Sequence, residues 1–209
     1  MELAKARTAG PSARRGGYRP LAGGDLARSQ KGAHAQGQTI LFIDASGFYP
    51  VPSVVRTDAP AGHPPMLREW WRRDYLSAIS AISPEGKLFL HGQEQSLDSA
   101  HVITLLEHLR REVPGLLLRL WDGAPMHRSR LVPAFLANSA AARSPIERLP
   151  AYAPELNPVE GLWAYFKGVE LCHVCCVNLP PLRQELPAAG KRIRRKPRMI
   201  NGCFEGAKR

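Results

Sequence analysis

Acidic residues are scarce in this chain. Asp and Glu number 18 against 29 Lys and Arg, leaving a formal net charge of +11 over 209 residues. Such an imbalance favours a polyanionic partner, nucleic acid or an acidic membrane surface, over the plainer reading of a merely soluble basic protein. Long apolar runs are also missing. None approaches the ~18 residues that a membrane span requires. The N-terminal "MELAKARTAGPSARRGGYRP" has basic residues but no apolar segment, so it does not read as a secretory signal. Its Arg, Ala and Ser content is faintly that of a transit peptide, against which stand Glu2 and the lack of an apolar helical face. Cysteine is sparse: four residues, three of them within 172–176, make no disulfide framework and suit a reducing cytoplasm.

What is present is enough for a core, since 44% of residues are hydrophobic. Residues 1–36 contribute little to it. They are rich in Gly, Ala, Arg and Ser, and the expectation is a disordered basic arm. Order is expected from "TILFIDASGF" (39–48), whose apolar run Ile40–Ile43 marks a strand covered on both faces. "YLSAISAIS" (75–83), the turn "PEG" (84–86) and "KLFLHG" (87–92) predict a hairpin. Asp98 is a candidate N-cap for a helix whose Val102, Leu105, Leu106, Leu109 and Val113 fall at helical spacing, ended by Pro114-Gly115. "LLLRLWD" (116–122) reads as a strand, 128–142 as a helix kinked at Pro133, and "IERLP" (146–150) as a short strand. From Asn157 onward, Leu162, Trp163, Phe166 and Val169 again recur at helical spacing. The order β-β-β-α-β-α-β-α implies an α/β fold, a mixed sheet flanked by helices. Residues 37–178 would form the main domain. A basic helical tail (179–209) would follow, interrupted by Pro187 and Gly190.

Three carboxylates stand at element ends. Asp44 and Asp122 close strands, and Glu160 opens the last core helix. If the two strands are parallel neighbours, both Asp residues lie at the carboxyl edge, where open α/β sheets bind ligands. Clustered carboxylates repel unless a cation neutralises them, and hard oxygen ligands suit Mg²⁺ or Mn²⁺. Two such ions would serve a phosphodiester displacement. Each residue also has a plainer reading. Asp44 before "ASG" and Asp122-Gly123 are turn formers. Glu160 stands where a capping box places Glu, after Asn157 as N-cap and Pro158 at the first helical position.

"FIDASGF" (42–48), "WDGAPMHRS" (121–129) and "YAPELNPVEGLW" (152–163) resemble the three catalytic blocks of DDE transposases of the mariner superfamily, most closely the bacterial insertion-sequence branch. "WWRRDYLSAISAISPEGKLFL" and "NGCFEGA" are similar to that branch as well, so the resemblance runs from about residue 38 to the end. It implies a ribonuclease-H-like fold, with Asp44, Asp122 and Glu160 as the catalytic, metal-binding carboxylates. The last two are 160 − 122 = 38 positions apart. It also implies two Mg²⁺ or Mn²⁺ ions, hydrolysis at element ends, strand transfer of the 3′-hydroxyl into target DNA, a homodimer, and a bacterial, nucleoid-associated location with no membrane.

Arg72, Arg73, Lys191, Arg192, Arg194, Arg195 and Lys196 are candidate phosphate contacts, or else a solvated basic face. His127 is either a phosphate contact or a surface histidine in a loop. In "LCHVCC" (171–176), Cys172, His173, Cys175 and Cys176 make a weak zinc pattern, with small apolar packing the plainer account. Trp70-Trp71 offers a stacking surface or core packing. The chain departs from the family pattern in three places. Residues 1–36 show no helix-turn-helix, Ala45 stands where an acidic residue is expected, and Pro187 falls within a helix. A catalytic domain without an end-recognition region is therefore expected. The rival is a non-catalytic DNA-binding relic that interferes with an intact transposase.

Overall fold

The computed structural model describes residues 19–20, 25–50, 74–94, 96–121, 130–138, 146–150, 153–172 and 179–207. In chain order the elements are β1 (Arg19–Pro20), α1 (Asp25–Ala35), β2 (Thr39–Phe48), β3 (Leu76–Ile82), β4 (Leu88–Glu94), α2 (Ser99–Glu112), β5 (Leu117–Trp121), α3 (Leu131–Asn138), β6 (Ile146–Arg148), α4 (Pro158–Tyr165), α5 (Leu179–Arg194) and α6 (Pro197–Gly206). Among the described residues, no helix is long and apolar enough to cross a membrane.

The six strands form one sheet in the order β1-β6-β5-β2-β3-β4. β2, β3 and β4 pair antiparallel, as hairpin connections dictate. β5 and β6 join on the other side of β2 in parallel, and β1 adds a two-residue edge. β2 is thus central, and period-2 alternation divides its side chains between two cores. Leu41 and Ile43 face α2 and α3, where Val102, Leu105, Leu106, Leu109 and Val132 are buried. Ile40, Phe42 and Phe48 face Val159 and Leu162 of α4, Phe166 just after it, and the buried sides of α5 and α6. The continuous apolar run of β2 is what a strand covered on both faces needs.

Local chemistry accounts for the joints. Gly86, at φ +84°, closes the β3–β4 turn, and a Cβ there would come within 2.8 Å of Pro197 Cβ at the start of α6. Asp98 caps α2 by accepting from the amides of Ala100 and His101 at 2.9 and 3.1 Å. Pro133 lies in the first turn of α3, where its missing N–H costs nothing, so the expected kink does not arise.

Two expectations fail. The arm predicted to be disordered over 1–36 contains β1 and α1, and α1 buries Leu26 and Ala33 in the α4-side core. The tail is not a helix broken at Pro187 and Gly190, nor a separate appendage. α5 runs unbroken from Leu179 to Arg194, burying Leu182, Leu186, Ala189 and Ile193 in the same core as β2. Pro187 sits on its exposed side. At Gly190 a Cβ would stand 2.8 Å from Leu90 Cδ2, so the glycine permits close approach to β4.

Candidate active site

Asp44 does not close its strand as expected: it is the sixth of the ten residues of β2, and it is only 6% exposed. A buried carboxylate requires partners. Its Oδ2 accepts a hydrogen bond from Trp163 Nε1 at 3.0 Å, a contact between positions 119 apart in sequence. Trp163 belongs to α4, and its ring packs edge-on against Phe48 with centroids 5.7 Å apart. Directly across the β2–β3 ladder, Asp44 is paired with Ser80. Cross-strand partners share a face. Ser80 is fully buried, and its hydroxyl has no hydrogen-bond partner among the described residues.

Glu160 opens α4, and its own geometry decides between cap and site. Asn157 is the N-cap: its side chain accepts from the Val159 amide at 3.2 Å. In a capping box Glu160 would return the favour to the Asn157 amide. That amide instead donates to the Pro154 carbonyl at 2.9 Å. The Glu160 side chain is therefore not used by the cap. It is exposed in the first helical turn, where the helix dipole favours negative charge. Glu160, Trp163 and Lys167 follow one another at i, i+3 and i+7, along one side of the helix. Trp163 reaches Asp44. Lys167 Nζ donates to Ser46 Oγ at 2.8 Å and lies 5.4 Å from the Phe48 ring centroid. A cleft of about 430 Å³ opens beside Glu160 between α4 and α6, with Tyr165 and Cys203 in its wall. Asp44 does not line this cleft, so the side of α4 that meets β2 is the candidate centre.

α4 continues from Phe166 to Glu170 as a π turn. Glu170, with its side chain 5% exposed, accepts from Arg192 at 2.6 Å and from Lys196 at 2.8 Å. Burial opposes ionisation of Glu170, but the bonds from Lys196 and Arg192 prevail and hold its carboxyl below the usual range. The same contacts raise Lys196 and Arg192 above theirs. These ion pairs bear on the basic run. Arg192 is also bound to Glu185, and Arg194 donates to the Leu88 carbonyl. Lys191 and Arg195 are exposed and, among the described residues, have no carboxylate partner. The run is therefore partly a clamp holding α5 and α6 to the end of α4.

Asp122, His127, Arg72, Arg73, Trp70 and Trp71 lie outside the described residues, as do His173, Cys175 and Cys176. Cys172 is a free thiol whose Sγ donates to the Val169 carbonyl. Among the described residues, no three His, Cys, Asp or Glu side chains converge to hold a metal ion. The donors that are described, Asp44 on β2 and Glu160 at the start of α4, are hard oxygen ligands, chemistry that suits a divalent cation. Ser80, beside Asp44, has a hydroxyl with no hydrogen-bond partner among the described residues. The set fits such an ion as far as it is described. Trp163, Lys167, Ser46 and Ser80 were not found from sequence; the i, i+3, i+7 spacing along α4 was the one available signal.

The chain belongs to the DDE superfamily of endonucleases, whose family pattern matches residues 39–169. Among solved structures it resembles the catalytic domain of Mos1 mariner transposase, with 16% identity, a TM-score of 0.55, and 88% of this chain and 89% of that one covered. A Mos1 mariner paired-end complex with Mn matches at 17% identity and a TM-score of 0.59, over 98% of this chain and 68% of that one. A pre-cleavage Mos1 transpososome matches at 18% identity and a TM-score of 0.57, over 88% of this chain; the chain spans only 60% of that transposase. At these identities the likeness is one of fold: the mixed sheet flanked by helices is ribonuclease-H-like. No curated protein matches.

Proposed function

We propose that this chain is the catalytic domain of a DNA transposase of the bacterial insertion-sequence branch. It would hydrolyse phosphodiesters at element ends and transfer the 3′-hydroxyl into target DNA, acting as a homodimer. The observation that carries the reading is the Trp163–Asp44 hydrogen bond, which ties the helix opened by Glu160 to the central strand bearing Asp44. The pairing of β2 with β5 supports it further. Ile43 is aligned with Trp121 in parallel register, and Trp121 immediately precedes Asp122 in the sequence. Asp44, Asp122 and Glu160 would then hold Mg²⁺ or Mn²⁺, which when bound supplies Lewis-acid activation of water and charge stabilisation at the phosphate. The protein's own part is to position these carboxylates and to gather DNA. Lys191 and Arg195 are the members of the basic run best placed for phosphate contact.

A DNA end with a free 3′-hydroxyl tests this. With Mn²⁺ present, the expected result is joining to target DNA, abolished by Asp122→Asn. Metal-dependent cutting without joining would indicate a nuclease, and DNA binding with neither reaction a relic; either result rejects the proposal.

A further inference from the structure

We infer that Trp163 is a positioning residue for Asp44, orienting its carboxylate to receive a divalent cation. The inference deepens the proposed function and rests on it. A carboxylate on a strand has two soft torsions, and a hydrogen bond to one oxygen removes much of that freedom. Asp44 is 6% exposed, so water does little of this orienting. The indole N–H does it instead, at 3.0 Å.

The donor is itself fixed. The Trp163 ring is 3% exposed and packed against Phe48 and Phe166, with centroids 5.7 and 5.8 Å away. Its backbone sits in the first turns of α4, whose start is locked by the Asn157 cap. The same helix carries Glu160 one turn earlier, so the bond also sets the spacing between the helix and the strand that bear the two carboxylates. Opposite Asp44, the buried Ser80 hydroxyl makes no hydrogen bond among the described residues. Polar groups thus flank Asp44 from α4 and from β3, and the indole of Trp163 is bonded to it.

Trp163→Phe keeps an aromatic ring in the packing and deletes the N–H. Mn²⁺ affinity, measured by calorimetry on the whole chain, is expected to fall about 10- to 100-fold, the usual range for loss of an outer-shell partner. Phe166→Leu loosens the same packing but leaves the N–H, so it should lower thermal stability while leaving Mn²⁺ affinity within about twofold of wild type. Equal affinity in Trp163→Phe and wild type would overturn the inference. So would an equal loss in Phe166→Leu, which would make the effect one of packing. A second readout needs no metal. The Trp163 indole N–H, assigned by its disappearance in Trp163→Phe, should exchange slowly with deuterium and lose that protection in Asp44→Ala. Unchanged protection would refute the contact. If the wild type takes up no Mn²⁺, the proposed function fails; exchange that depends on Asp44 would still establish the contact.

Discussion

Ser80→Ala should make the metal-free protein more stable, against the general tendency of core substitutions to destabilise. The Ser80 side chain is 0% exposed, and its hydroxyl has no hydrogen-bond partner among the described residues. Leaving such a group dry and unbonded costs about 1–3 kcal/mol, which alanine recovers. The loss is the dispersion contacts of one oxygen atom, roughly 0.5 kcal/mol. The net gain is therefore about 1 kcal/mol, or a rise of about 2–4 °C in Tm for a chain of this size. Urea unfolding in chelator reads it directly: the midpoint should move up with the slope unchanged. The gain should shrink when Mn²⁺ is added if the hydroxyl gains a partner in the filled site. A Ser80→Ala protein that is less stable than wild type by about 1 kcal/mol or more would show that the hydroxyl is bonded in solution. The picture of an unsatisfied group beside Asp44 would then be wrong.

Three further outcomes follow from the same packing. Glu170→Gln should be less stable than wild type at pH 7, because Arg192 and Lys196 lose their shared carboxylate. The folded-state pKa of Glu170 is depressed, so its contribution is complete above about pH 4.5 and is lost as pH falls through the folded value; wild type and variant should converge in acid. A gap that persists unchanged into acid would contradict this. Gly86→Ala combines a positive φ with a Cβ 2.8 Å from Pro197, so a loss of about 2 kcal/mol or more in chemical denaturation is expected, and a neutral result would refute the turn geometry. Asn157→Ala removes the α4 cap and should cost about 1 kcal/mol, checked by urea midpoints; no change would mean the cap is not made.

Much of the sheet was legible because its signals are local. The unbroken apolar run of β2 fits only a strand buried on both faces, and the Pro-Glu-Gly turn fits only a hairpin. Asn157-Pro158 announced the start of α4 in the same way. α1 was missed because it commits only small or isolated residues to the core, among them Leu26 and Ala33, too few for a periodic signal. α5 was misread because propensity penalises Pro187 and Gly190, whereas tertiary packing against Leu90 and the buried Leu182, Leu186 and Ile193 overrides it. At the site, Glu160 could be nominated from its place at the start of a helix, whereas Asp44, expected to close its strand, lies inside β2, which runs on to Phe48. The contacts around them could not be read from the sequence. The Trp163 bond joins residues 119 apart, and Arg192 and Lys196 look like free cations until the fold brings Glu170 to them. The difference is physical: capping and periodicity act within a turn or two, whereas orientation of a buried carboxylate depends on which elements meet.

The central claim is that Asp44, Asp122 and Glu160, far apart in sequence, hold divalent cation together. Calorimetric titration of the whole chain with Mn²⁺, in wild type and in Asp44→Asn, Asp122→Asn and Glu160→Gln, tests it most directly. The account predicts that the wild type takes up Mn²⁺ and that each substitution weakens or abolishes uptake while the thermal unfolding transition remains cooperative. Uptake that is unchanged in any one of the three folded variants would contradict it.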